Sequence, residues 1–559
     1  LRPPRGPAAG HPPVSLQRHP SQASGRILAQ FAPAIILRQG GGELATEIKT
    51  GVLQGIEGVA VTVEVDLSRG LPGFHLVGLP NTEVRESRER VLAAVRHSGC
   101  RIPPGRITVN LAPAGVRKEG AFCDLAMAMG VIAASNGGGS GASGGPDGLD
   151  PGRRLEAVFL GELSLFGEIR PLRGLLPILL AAARRGDRLA VVPAAQAAEA
   201  RLVPQLAVVA ASTLAEVLAW WRTGVLPRAG GQLRPIIHDD DAARRRRALV
   251  MLQDLRGQAL VRKAAVLAVV GEHNLLMVGP PGSGKTRLAR ILGRLRFPLA
   301  PGDALDTTRI HSAAGLLHRP ALMTRPPFRA PHHTITRAGL TGGGPNLRPG
   351  EVTLAHGGVL FLDELTEFAP AVLETLREPL EEGWISVTRG AGHRRFPARF
   401  QLIAAMNPCR CGFAGSRDRP CRCQAADLAR HRNRLSGPLL DRFDLFVEVG
   451  AWEGGFLQTP RPGTGTDPQG WRSFPREKDL ARARERLLNR PPPLAPSAAA
   501  LLDRLRQPLG LSLRGVTRCV RLAATLAALD GAAEVGEGQV KEALEFRKES
   551  LPALQGDPG

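Results

Sequence analysis

Asn274-Leu275-Leu276-Met277-Val278-Gly279-Pro280-Pro281-Gly282-Ser283-Gly284-Lys285-Thr286 is the stretch that decides how this chain is read. Asn274–Val278 is a short apolar strand, Gly279–Thr286 has the form GxxxxGK[ST], and a helix is expected from Arg287. Glycines at Gly279, Gly282 and Gly284, interleaved with Pro280, Pro281 and Ser283, let successive backbone N–H groups turn inward around phosphate oxygens. Lys285 supplies a point charge to β and γ phosphates, and Thr286 offers its hydroxyl to Mg²⁺.

A second element matches independently. Gly358-Val359-Leu360-Phe361-Leu362-Asp363-Glu364 is a buried parallel strand that delivers two carboxylates at its C-terminal end. Asp363 is expected to hold the Mg²⁺ through water, and Glu364 to orient and polarise the attacking water. A third strand, Leu402–Met406, ends at Asn407, placed to hydrogen-bond the γ-phosphate or that water. The expected chemistry is ATP hydrolysis.

The rest of the chain sets the frame. At 559 residues it is too long for one ordinary domain, and 43% hydrophobic residues exclude wholesale disorder. Its longest apolar stretches, Leu175–Ala183 and Ala264–Val270, fall far short of the ~20 residues of a membrane span. Seven cysteines, four of them within Cys409–Cys423, do not resemble a secreted disulfide framework, so a reducing, cytoplasmic compartment fits. The net charge of +22 carries little weight, because only seven of 73 basic residues are lysine and tyrosine is absent, a skew that a GC-rich coding sequence produces by itself.

Residues 1–43 read as a disordered leader or a misplaced translation start, without a signal peptide's apolar block. Residues 44–223 form an α/β domain with strands at Val59–Leu67, Arg106–Leu111, Val158–Gly161 and Leu189–Val192. Helices are expected at Glu83–His97 and Leu175–Arg185, and Asn136–Gly145 is a flexible excursion. Residues 224–253 read as a linker whose Arg244–Arg247 run is a solvated helix face. The nucleotide-binding unit spans 254–452 and a linker 453–475. A helical region spans 476–550, with runs at Leu480–Leu488, Ala498–Leu505, Leu513–Leu529 and Val540–Arg547, and 551–559 form a tail.

The order of these motifs, followed by Leu439-Leu440-Asp441-Arg442-Phe443-Asp444 and a helical segment with Ser512-Leu513-Arg514, resembles the AAA+ superfamily. Within it the chain resembles the magnesium-chelatase-like ATPases of the ComM/YifB family. Gly70–Pro80, Ile107–Pro113, Arg329-Ala330-Pro331-His332-His333-Thr334, Asn407–Gly412 and Ser436–Asp444 carry the likeness. The resemblance implies a P-loop AAA+ core, a Lon-protease-like N-terminal α/β domain and a C-terminal helical lid. It further implies that Arg442 is the arginine finger reaching a neighbouring subunit's γ-phosphate, that Arg514 is the second sensor, and that the subunits form a ring, a hexamer in this family. Peptidase activity is not expected. Where Lon-type enzymes carry the nucleophilic serine and the catalytic lysine, this chain has Phe122 and Leu176, which can neither attack a carbonyl nor serve as a base.

Two further features bear on partners. Cys409-x-Cys411 and Cys421-x-Cys423 can supply four thiolates to one Zn²⁺, or stand as four reduced thiols, or pair on oxidation. From Ile385 to Arg442 there are twelve arginines, three aspartates and no glutamate. Ile385–Arg389 and Arg394–Arg399 read as a β-hairpin with a basic tip. In related ring helicases such a hairpin enters the central channel, which makes Arg389, His393, Arg394 and Arg395 candidate DNA-phosphate contacts. The alternative is a solvated hairpin whose charge follows base composition. The resemblance favours a hexameric DNA motor in helicase or branch migration; a motor that remodels a partner protein, as chelatase-type ATPases do, is the second reading.

Overall fold

The computed structural model describes residues 37–40, 43–79, 81–118, 120–137, 157–225, 241–255, 258–317, 321–344, 347–389, 392–415, 419–450 and 474–547. The flexible excursion (apart from 136–137) and the 453–475 linker (apart from 474–475) lie outside them, as do residues 1–36 of the leader. The chain divides into two compact units. One comprises residues 1–52, 60–172 and 179–231, and the other 53–59, 173–178 and 232–559.

The first unit is built on a mixed sheet. Ala207–Ala211, Leu189–Pro193, Ala157–Phe159 and Glu43–Gln54 run parallel in that order. Glu57–Ser68, Arg106–Ala112 and Gly73–Val77 complete the path. The β-branched alternation of Val61, Val63 and Val65 puts these side chains in the core, where each is at most 1% exposed. Leu37–Gly40, expected in the leader, pairs antiparallel with Glu43–Thr46. Helix Thr82–His97 starts where Asn81 accepts from the Val84 amide, a cap that the sequence carries two residues before the expected start. Phe122 and Leu176 are both buried. Beside Phe122, burial pushes the Cys123 thiol up to about 12, so it carries no thiolate near neutral pH.

The second unit holds a five-stranded parallel sheet in the order Phe328–Arg329, Val359–Leu362, Gln401–Met406, Leu275–Val278, Leu445–Glu448. The three central strands are buried along their whole length, which is why they read as continuous apolar runs rather than alternating ones. This is a P-loop AAA+ type arrangement. The strand that leads to Asn407 is inserted between the strand that leads to Gly279 and the one that leads to Asp363. All three therefore deliver their C-terminal residues to one edge.

The terminal helices Glu477–Asn489, Pro496–Arg506, Leu513–Asp530 and Glu537–Glu545 match the expected runs. Leu480, Leu502, Leu522 and Phe546 belong to the same continuous apolar cluster as Leu275 and Met277, so this helical region shares one core with the sheet.

The expected linker needs correction. Residues Asp241–Gln253 form a helix whose Ala248, Leu249 and Leu252 are buried in that core. Their spacing of three and four places them on one helical face, a signal that the neighbouring arginine run obscures. Nor is that run simply solvated. Arg245 pairs with Glu477 at 2.6 Å and lies over the Phe297 ring, while Arg246 and Arg247 are exposed. Among the described residues no helix is long and apolar enough to cross a membrane.

Candidate nucleotide site

Local backbone conformation builds the site first. Gly282 and Gly284 have φ of 78° and 91°, the left-handed region that glycine enters without a Cβ penalty. They fold the loop so that helix Lys285–Leu295 begins at its end, two residues earlier than expected. A cleft of about 620 Å³ opens there, lined by the P-loop, Asp363, Glu364 and Asn407. Met251 of the corrected 241–253 helix lines it too, so the segment expected to be a linker contributes a wall of the site.

Lys285 is 8% exposed, and its Nζ donates to the Gly279 and Pro280 carbonyls at 2.7 and 2.8 Å and to Asn407 Oδ1 at 3.2 Å. Burial lowers the pKa of this ammonium, while the carboxylates of Asp363 and Glu364 work to raise it. Thr286 Oγ1 donates to Asp363 Oδ2 at 2.6 Å, which brings the two expected Mg²⁺ ligands together. The donor set, one hydroxyl and one carboxylate beside a cationic loop, is the hard-oxygen chemistry that Mg²⁺–triphosphate requires.

Glu364 adopts φ 51°, ψ 51°, a conformation that costs a non-glycine residue about 1 kcal/mol. Its Oε2 lies 3.5 Å from His333 Nδ1, and the His333 ring packs at 4.1 Å centroid distance on that of His332. His333 stands in the Arg329–Thr334 stretch, whose sequence gave no hint of a role: only the fold brings it to a carboxylate 31 residues away.

Asn274, at the head of the first strand, is the hub. Its amide N–H donates to Asp444 Oδ2 at 2.9 Å, its Nδ2 to the Arg442 carbonyl at 2.8 Å, and its Oδ1 accepts from the Leu402 amide at 2.8 Å. Burial works to raise the Asp444 carboxyl, but His273, Arg521 and Arg518 outweigh it and hold the pKa at about 2. Arg442 is thereby fixed at its backbone, yet it does not line the cleft, and neither does Arg514. Arg442 Nη1 donates to the Pro438 carbonyl at 2.7 Å, and Nη2 pairs with Glu381. Arg514 meets that same Glu381 oxygen at 2.9 Å. The sequence reading missed Glu381, the acid that gathers both arginines, because an isolated glutamate in a charged segment carries no signal.

The basic hairpin forms as expected: Trp384–Arg389 pairs antiparallel with Gly392–Pro397. Residues 390–391 and the side chains of Arg389 and His393 lie outside the described ones. Ile385, Val387 and Phe396 are buried on one face, whereas Arg395 lies on the other, over the Trp384 ring at 4.2 Å. Arg394 is exposed and donates from Nη2 to Gln54 at 3.0 Å. The four sulfurs of Cys409, Cys411, Cys421 and Cys423 lie within 4.8 Å of one another.

Comparisons with known proteins place the chain in a family. The family model "Magnesium chelatase, subunit ChlI" matches residues 251–455, "Subunit ChlI of Mg-chelatase" residues 63–196, and "Magnesium chelatase, subunit ChlI C-terminal" residues 469–547. The chain is 41% identical to an uncharacterized protein of Mycobacterium tuberculosis over 513 residues, 89% of this chain and 97% of that protein. It is 37% identical to the competence protein ComM of Haemophilus influenzae over 504 residues, 88% of this chain and 95% of the relative. To the uncharacterized protein YifB of Escherichia coli it is 35% identical over 514 residues, 89% and 96% of the two chains.

Proposed function

From the premise that this chain belongs to the ComM/YifB family of magnesium-chelatase-like AAA+ ATPases, we propose that it is a ring-forming ATP-driven motor acting on DNA, a hexamer by family analogy. One observation carries the ring. Arg442 is rigidly held yet absent from the lining of its own subunit's cleft, which suits a guanidinium that completes a neighbour's site.

In this reading the Gly279–Thr286 backbone and Lys285 hold the β and γ phosphates. Thr286 and Asp363 hold Mg²⁺, which when bound neutralises charge on the transferred phosphoryl group. Glu364 accepts a proton from the attacking water and aligns it in line with the leaving oxygen, and Asn407 orients that water or the γ-phosphate. Arg442 from a neighbouring subunit, with Arg514 as the second sensor, would meet charge that builds on the phosphoryl oxygens, an effect worth ~10³–10⁵ in rate where arginine fingers act.

The DNA assignment rests on the hairpin. Arg394 and Arg395, together with Arg389 and His393 as read from the sequence, would contact backbone phosphates, and phosphate contacts position a strand without reading its sequence. The competence role in the name of the Haemophilus influenzae relative supports DNA as the polymer moved. The test offers the full chain ATP with branched DNA, plain duplex or no DNA, alongside Glu364→Gln. DNA-stimulated turnover and movement of the branch are expected. DNA-independent turnover with a stationary branch would reject this reading in favour of a motor acting on a partner protein.

A further inference from the structure

Four sulfurs converge beside the nucleotide cleft. Cys409 Sγ lies 3.3 Å from Cys411 Sγ and 3.7 Å from Cys421 Sγ, and Cys411 and Cys421 are 3.6 Å apart. A disulfide holds its sulfurs at about 2.05 Å. Four sulfurs each about 2.3 Å from a tetrahedral ion sit about 3.8 Å from one another. The observed spacings belong to the second arrangement. Backbone amides turn toward the cage as well: Ala414 N–H donates to Cys409 Sγ at 3.3 Å and Cys423 N–H to Cys421 Sγ at 3.5 Å. Such contacts stabilise negative charge on sulfur, which four neutral thiols would not need. Four soft ligands within 4.8 Å of one another select Zn²⁺ over the hard cation of the nucleotide site.

The cage also touches the chemistry. Cys409 is two residues beyond Asn407, whose carbonyl contacts His431 Nε2 at 3.0 Å. The turn closes through a Gly412 N–H donated to the Cys409 carbonyl at 3.0 Å. Gly412 has φ 87°, and a Cβ there would come within 2.4 Å of Pro281 Cδ in the P-loop. A turn that close leaves no slack between the cysteines and the phosphate-binding loop.

We propose that Cys409, Cys411, Cys421 and Cys423 bind one Zn²⁺ as four thiolates, releasing their protons to solvent, and that the ion clamps the Cys409–Gly412 turn against Pro281. Loss of zinc then loosens the nucleotide site. The metal assignment is independent of the DNA reading, and its coupling to nucleotide rests on the ATP site proposed above.

The experiment uses the full chain purified without chelator. Elemental analysis is expected to give one zinc per chain, and Cys421→Ser with Cys423→Ser to lower it at least tenfold. Four titratable thiols without metal, two disulfides, or the visible absorbance of thiolate-bound iron would overturn the zinc site. Zinc stripped with a mercurial is expected to weaken binding of a fluorescent ATP analogue at least tenfold, with recovery on adding Zn²⁺ and an unchanged far-ultraviolet circular dichroism spectrum. Unchanged analogue affinity after stripping would overturn the coupling. Lys285→Ala separates the two claims: it is expected to keep its zinc and lose the analogue, and retained analogue binding would overturn the coupling by removing the nucleotide site on which it rests.

Discussion

Arg442 and Glu381 form an ion pair in which the arginine side chain is 5% exposed, and Arg514 shares the same carboxylate oxygen. Two arginines from distant parts of the sequence are thus gathered on one acid, outside the lining of the P-loop cleft. A guanidinium already fixed by Glu381, the Pro438 carbonyl and the Asn274 anchor loses little further freedom when it meets a phosphate.

Arg442→Ala is expected to cut ATP turnover by about 10³ or more while the nucleotide Kd stays within about threefold, because the finger acts on transition-state charge rather than on binding. Glu381→Gln keeps the Pro438 contact and should cost only about tenfold. Turnover assays paired with equilibrium titration check both. Wild-type turnover in Arg442→Ala would dismiss the composite site.

The 2.6 Å bond from Thr286 to Asp363 predicts a shared task at the metal. Thr286→Ala should raise the Mg²⁺ concentration for half-maximal turnover about tenfold, since one inner ligand and the partner that orients Asp363 vanish together. A superimposable Mg²⁺ titration would count against the pairing.

Glu364→Gln is expected to bind ATP and to turn it over about 10²–10⁴ times more slowly, as loss of a general base does. His333→Ala should lower kcat about tenfold with KM unchanged, because His333 touches the carboxylate of Glu364 and does not itself line the cleft. If KM rose and kcat held, His333 would belong to binding instead.

His356 supplies a pH dependence of stability. Burial foremost, then the Arg399 charge, lowers its pKa from 6.5 to about 4, and its Nδ1 accepts from the Arg399 amide at 3.2 Å. The folded state therefore refuses a proton that the unfolded chain takes up. Stability is fully present above about pH 6.5 and declines as pH falls toward 4, by on the order of 3 kcal/mol from this group. His356→Asn keeps an acceptor for the Arg399 amide and should remove most of that decline, measured as urea midpoints at pH 7.5 and 4.5. An identical decline in the variant would assign it elsewhere.

The strands and loops of the nucleotide site were legible in the sequence because their signals are local. A buried parallel strand must be apolar throughout, and a phosphate loop must contain glycines where φ is positive. Gly282, Gly284 and the strand Val359–Leu362 satisfy both rules within a few residues. The terminal helices were legible for the same reason, through their apolar period. Helix Asp241–Gln253 was not, because four consecutive arginines mask the three buried positions that follow.

By itself, then, the sequence determined the parallel α/β core, the P-loop, the two carboxylates and the residue types able to serve ATP. Tertiary structure alone decided which residues attend them: His333 at Glu364, Glu381 between Arg442 and Arg514, Asn274 joined to Leu402 and to the Arg442–Asp444 turn, and four cysteine sulfurs in one cage. Those relationships join positions far apart in the chain or across a loop. No local rule of period or propensity encodes them, because only the ordering of parallel strands in the sheet and the packing around it set which side chains meet.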